Sequence, residues 1–246
     1  MQNGWNPWHG CRKISEGCAN CYVYRIDALH DRDPETPHRT GAFGLPLKKT
    51  RAGEFRVLPG EMLATCFSSD FFLEEADEWR REAWRMIAAR PDVTFYFITK
   101  RISRFYASLP EDWGEGYPNV RIGCTCENQR RADERLPIFL SLPIAHRFIV
   151  CEPLLEAIDL SRYLDSRIEE VSVGGESGEG ARVCDFAWVE AIRSACVAAN
   201  VPFRFHQTGA NFRMGTKTYA IPRLKQHEQA KRAGIDFTPC GNIFPE

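Results

Sequence analysis

Short apolar runs recur along the chain between residues 61 and 205, each closed by a polar tip and most followed by an amphipathic segment. That rhythm is the signature of repeated βα units. It predicts strands over residues 61–67, 93–98, 120–124, 147–151, 170–173 and 201–205. Leu73, Ala76, Ala83, Trp84 and Ile87 recur near one face of a helix over 73–89, with acidic residues in its first turn. Phe186, Val189, Ile192 and Cys196 form a similar stripe on a second helix, with Asp185 placed to cap its amino end. Trp84 and Cys196 therefore read as core residues.

Polar residues collect directly after the predicted strands: Ser68, Ser69 and Asp70; Thr99, Lys100 and Arg101; Thr125, Glu127 and Asn128; Glu152; Gly174, Gly175, Glu176 and Ser177; His206 and Gln207. Parallel α/β barrels build their sites from the carboxyl ends of several strands, whereas an open doubly wound sheet concentrates ligands at one switch point. Polar tips after every strand favour the barrel. The expected fold class is α/β, a partial (βα)6 barrel, TIM-barrel-like, with an N-terminal three-cysteine metal-binding loop. One domain over 1–246 is expected: a cysteine loop and first helix (1–30), an irregular insertion rich in charge, Pro and Gly (31–60), the βα units (61–208) and a basic C-terminal extension (209–246).

Composition narrows the chemistry. A net charge of −1 over 246 residues gives no long-range attraction to nucleic acid or anionic lipid, so any such binding needs a local patch. No signal-peptide pattern and no run of 18 apolar residues occurs, which predicts a soluble, cytoplasmic protein with no membrane partner. The ten cysteines are then expected to be reduced, buried or metal-bound rather than paired as disulfides.

Residues 1–22 are dense in Gly, Trp, Pro and Cys without helical or strand period, a loop held by something other than its own secondary structure. Cys11, Cys18 and Cys21 fall within eleven residues, and Gly10 and Gly17 each precede a cysteine, so three soft thiolates can turn toward one metal centre. Zinc requires a fourth ligand, for which His9 is the candidate; a four-iron cluster held by three cysteines leaves one iron open to a small molecule. Cys66, Cys124, Cys126, Cys151, Cys184, Cys196 and Cys240 share no compact ligand spacing and read mainly as small apolar residues. Cys124 and Cys126 share one face of an extended segment, which keeps a redox or metal role open for them.

The opening WNPWHGCRKISEGCANCY, with GGESG at 174–178 and the following ARVCDFAWVEAIRSAC, resembles the phage-associated three-cysteine-motif family over most of the chain. More distantly, three early cysteines ahead of a six-unit α/β barrel resemble the radical S-adenosylmethionine enzymes. This second resemblance implies a [4Fe-4S] cluster on Cys11, Cys18 and Cys21, S-adenosylmethionine on the open iron, and an external electron donor. It further implies reductive cleavage to a 5′-deoxyadenosyl radical that modifies an unidentified substrate, a nucleotide or nucleic acid being the candidate class. Cys11 and Cys18 enclose six residues where that superfamily usually has three, Asn20 stands where an aromatic is favoured, and the glycine-rich GGES segment comes late in the chain.

On this reading Tyr22 offers a ring to adenine, and Ser68, Ser69 and Asp70 lie where the cofactor's amino group is gripped. Glu127 and Glu152 are candidates for the ribose hydroxyls, and Gly174, Gly175, Glu176 and Ser177 for close approach to cofactor or substrate. Lys100, His206 and Gln207 are the substrate-binding candidates. Each has a structural alternative: a helix cap, a buttress of the rim or a tight turn. Arg213, Lys217, Arg223, Lys225, Lys231 and Arg232, interleaved with Phe212 and Tyr219, form either a phosphate-binding edge or a solvated surface. The alternative function is a zinc-stabilised, non-catalytic barrel that binds a nucleic acid or a protein partner.

Overall fold

The computed structural model describes residues 3–107 and 109–239, so Cys240 lies outside the described residues. Contacts gather the chain into two compact units, each built of several segments. The first comprises Met1–Ile14, Val23–Gly123 and Ser141–His146, the second Ser15–Tyr22, Cys124–Leu140 and Arg147–Glu246.

The first unit contains β1 (Asn3–Trp5), β2 (Trp8–His9), most of α1 (Tyr22–Ala28), β3 (His38–Arg39), β4 (Met62–Thr65), α2 (Asp77–Ala88), β5 (Thr94–Thr99) and the start of β6 (Val120–Thr125). Its parallel strands run in the order β1-β4-β5-β6, with Trp5 opposite Thr65 and Ala64 opposite Tyr96. Alternation along β5 buries Phe95, Phe97 and Thr99 on one face. Phe71 stacks on Phe97 with centroids 4.3 Å apart and meets Trp84 of α2 edge-on at 4.8 Å, so the helix is held to the strands through aromatic rings. The 31–60 segment belongs to this core. Phe43 in it accepts the Trp5 indole N–H through its carbonyl at 3.0 Å, and Arg90 donates to the carbonyls of Pro46 and Val57.

The second unit takes the end of β6 and most of α3 (Gln129–Ser141) and β7 (His146–Cys151). It also holds β8 (Ile168–Gly174), β9 (Val183–Asp185), α4 (Phe186–Ala198), β10 (Phe203–Gln207), β11 (Asn211–Met214), β12 (Lys217–Ala220) and α5 (Gln226–Ala233). Its main strands continue in the order β6-β7-β8-β10, and the β7/β8 and β8/β10 ladders are parallel. A separate three-stranded sheet has the order β12-β11-β9. Asp185 accepts from the Ala187 N–H at 2.9 Å and caps α4, as the sequence predicts.

All six predicted strands are present in a mixed α/β fold with a seven-stranded parallel sheet, and the strand order follows the chain without reversal. Among the described residues no switch point of the doubly wound kind arises. The seventh strand, β1, falls in the segment expected to be a loop. Three residues with a central glycine carry too little alternation to read as a strand, and pairing with β4 decides it. The expected C-terminal extension likewise contains β11 and β12, an antiparallel hairpin turned by Gly215 at φ +58°, with β11 joined to β9. No helix among the described residues is long and apolar enough to cross a membrane.

Candidate functional site

In the first unit the segment around Cys11 is tied to the residues directly after β4 and β5. Cys66, directly after β4, has φ +63°, a left-handed conformation uncommon for a residue with a side chain, and turns the chain so that the next two serines reach back. Ser69 donates its hydroxyl to the Gly10 carbonyl at 2.5 Å, and the Gly10 N–H donates to the Ser68 carbonyl at 3.2 Å. Cys11 gives its N–H to Pro34 and takes the Tyr24 hydroxyl on its carbonyl at 2.6 Å. Gly10, at φ +89°, has backbone of Pro34, Thr36 and Pro37 about 3.1 Å from where a Cβ would stand, so a larger residue is barred there.

Asp70 organises this half. Its buried carboxylate accepts from the Phe72 N–H (2.9 Å), the Thr99 hydroxyl (2.8 Å) and the Lys100 N–H (3.0 Å), and faces the Arg101 guanidinium at 3.4 Å. Arg101 in turn points Nη1 at Cys11 Sγ, 3.5 Å away, and donates Nη2 to the Arg12 carbonyl. A fixed cation beside this sulfur complements the charge of a thiolate. With its acceptor sites engaged by the protein, Asp70 ties the turn after β4 to the end of β5; it is not the cap of α2, which begins at Asp77. His9, the candidate fourth zinc ligand, has Nε2 2.7 Å from the buried Asp27 carboxylate.

The second unit repeats the arrangement around Cys18 and Cys21. Glu127, directly after β6, is fully buried; one oxygen accepts from the Gly17 N–H at 3.2 Å and the other from Arg135 of α3 at 2.6 Å. Asn128 caps α3 by accepting from the Arg131 N–H. Glu176, directly after β8, accepts from the Asn20 amide at 2.9 Å and from the backbone and guanidinium of Arg182. Burial pushes the Glu176 carboxyl up, but the Arg182 and Asn20 hydrogen bonds prevail and hold it below its ordinary value. Asn20 donates to the Gly180 carbonyl as well. The residue that departs from the radical-enzyme pattern is thus an anchor of the loop, which sequence reasoning did not assign.

A second cluster in this unit joins Glu152, His206 and Gln207. Glu152 meets His206 Nδ1 at 2.8 Å and accepts from the Gln207 amide, while Arg223 reaches the Gln207 carbonyl oxygen at 3.4 Å. Gly174 and Gly175 are required by packing: a Cβ on Gly174 would stand 2.7 Å from the Glu152 carboxyl carbon, and one on Gly175 2.3 Å from the Thr208 carbonyl. Ser177 is half-buried, and Tyr22, at the start of α1, is 44% exposed. Along the C-terminal segment Phe212 is a core residue packed on Phe186 and Phe205, Arg213 pairs with Asp185, and Lys225 pairs with Glu228. Those contacts commit part of the expected phosphate-binding edge to structure.

Cys11, Cys18 and Cys21 are half-buried, whereas the other six described cysteines are buried. Burial raises the Cys126 and Cys151 thiols well above their ordinary value, the form expected of packed neutral groups. Among the described residues no three His, Cys, Asp or Glu side chains are grouped as a metal-binding set.

Fold and site define an α/β protein with a parallel sheet whose strand ends, within each unit, secure part of a cysteine-bearing loop. The chain belongs to the family described as Protein of unknown function (DUF5131), whose model matches residues 1–237. No curated protein and no solved structure matches it.

Two expected outcomes follow from these contacts. A Cβ on Gly17 would stand 3.0 Å from the Glu127 carboxyl carbon, and Glu127 is clamped by Arg135 and cannot swing away. Gly17→Ala should lower stability in urea unfolding by about 1–3 kcal/mol, the usual cost of overpacking; an unchanged midpoint would show the clamp to be loose. The Glu152 hydrogen bond raises the His206 imidazole above its ordinary value against the opposing effect of burial. A raised folded value means that the pair's contribution is complete below the unfolded value, near 6.5, and is lost as pH rises through the folded one. An NMR titration should therefore place His206 above 6.5 and bring it down in Glu152→Gln; equal titration in both proteins would refute the pairing.

Proposed function

We propose that this chain is an iron–sulfur enzyme that reductively cleaves S-adenosylmethionine to modify a substrate, with a nucleotide or nucleic acid as the candidate class. The carrying observation is the division among its thiols: the three clustered in the early sequence are half-exposed and set in a hydrogen-bonded loop, while the other described cysteines are buried. Soft thiolates with solvent access are the donor type that accepts iron, and buried neutral thiols are not. The joint ligation by Cys11, Cys18 and Cys21 rests on their spacing in the chain.

When bound, a [4Fe-4S] cluster would supply the one-electron reduction of the cofactor, drawing on an external donor. The chain's own residues orient and support. Arg101 lends positive charge beside Cys11, Glu127 fixes the backbone entering Cys18, and Asn20 with Glu176 fixes the backbone entering Cys21. Tyr22 and Ser177 remain as surfaces for the cofactor, and Lys100, His206 and Gln207 for substrate. The sequential strand order supports a partial, TIM-barrel-like (βα)6 arrangement. The likeness of the cysteine segment to the phage-associated family supports a phage or mobile-element setting.

The test is turnover. Anaerobic protein given a strong reductant and S-adenosylmethionine should release 5′-deoxyadenosine and methionine, and Cys18→Ala should abolish the release. Product formation that survives Cys18→Ala, or none from iron-loaded wild-type protein, would refute the proposal.

A further inference from the structure

We infer that a cavity in the first unit, walled by Arg12, Lys100, Arg101 and Arg104, binds a phosphate monoester that carries free hydroxyl groups. The cavity has a volume of about 320 Å³, which suits a small ligand. Arg104 is bound by both oxygens of Asp77 (2.9 and 2.8 Å) and stands 3.9 Å from the exposed Glu74, and Arg101 faces Asp70 at 3.4 Å, so the guanidinium groups are oriented before any ligand arrives. Arg12 pairs with Glu75 at 2.8 Å, but both side chains are exposed, and such a pair exchanges readily for a better partner. Lys100 is half-buried, and its ammonium has no ion pair among the described residues.

Charge and acceptor count select the ligand. One carboxylate is satisfied by one guanidinium fork, whereas several cations converging on a small cavity suit a dianion with three terminal oxygens. Glu74 and Glu75 also line the cavity and are charged acceptors. They would repel a second phosphate and accept hydrogen bonds from hydroxyls, which favours a sugar phosphate or nucleoside monophosphate over a polyphosphate. Arg101 touches both this cavity and Cys11 Sγ, so a ligand here lies beside the first cysteine. Taking that ligand as the substrate rests on the proposed function; its binding does not.

Calorimetric titration of the full chain at low ionic strength, with ribose 5-phosphate, inorganic phosphate and ribose, tests the inference without iron or reductant, so its failure is separable from failure of the iron–sulfur reading. Ribose 5-phosphate should bind saturably, roughly tenfold or more tighter than phosphate or ribose alone. Lys100→Ala and, independently, Arg12→Ala should each weaken it about tenfold with the circular dichroism spectrum unchanged, and Glu75→Gln should bind at least as tightly as wild type. S-adenosylhomocysteine should not displace it. Absence of saturable binding, indifference to both Lys100→Ala and Arg12→Ala, equal affinity for inorganic phosphate, or displacement by S-adenosylhomocysteine would overturn the assignment.

Discussion

A carboxylate removed from water must find a cation and donors or give up its charge, and Glu127 meets that requirement with Arg135 and the Gly17 N–H. The pair links a strand end, a helix and the residue before Cys18 in one contact. Removing either partner of such a buried pair typically costs about 3–5 kcal/mol, so the loop backbone is as fixed as the strand that supports it. Glu176 does the same for Asn20 with Arg182, and Asp70, through Arg101, does so for Cys11. Much of the polar chemistry after the strands therefore holds the loop, before any ligand is considered.

This accounts for the glycines as well as the acids. Gly17 leaves room for the Glu127 carboxylate, Gly10 lets the chain pass against residues 34–37, and Gly174 and Gly175 let Glu152 and Thr208 approach the end of β8. Each glycine sits where a charged or backbone group needs the space. The GGES segment is thus a packing device whose acid, Glu176, reaches the loop by way of Asn20.

How much was legible in the sequence depended on the kind of signal. Strands such as β5 and helices such as α2 and α4 were readable because alternation and the 3.6-residue stripe are local consequences of burying one face. β1 was not, because three residues gain their strand character from β4, sixty positions on at the pairing of Asn3 with Leu63. The polar strand tips are legible but their roles are not: nothing local says that Asp70 is engaged by Thr99 and Phe72, or that Asn20 pairs with a glutamate 156 residues away. The hairpin of β11 and β12 did carry a signal, the Gly-Thr turn at 215–216, which the basic charge of the segment obscured.

Burial divides the thiols of the described chain into six that are buried and three, Cys11, Cys18 and Cys21, that are half-exposed. Metal content and absorption spectrum of the protein isolated without oxygen test that division most directly. A brown protein with about four irons per chain and matching inorganic sulfide is expected, the stoichiometry of one four-iron cluster. A colourless protein carrying a single tightly held zinc would contradict it.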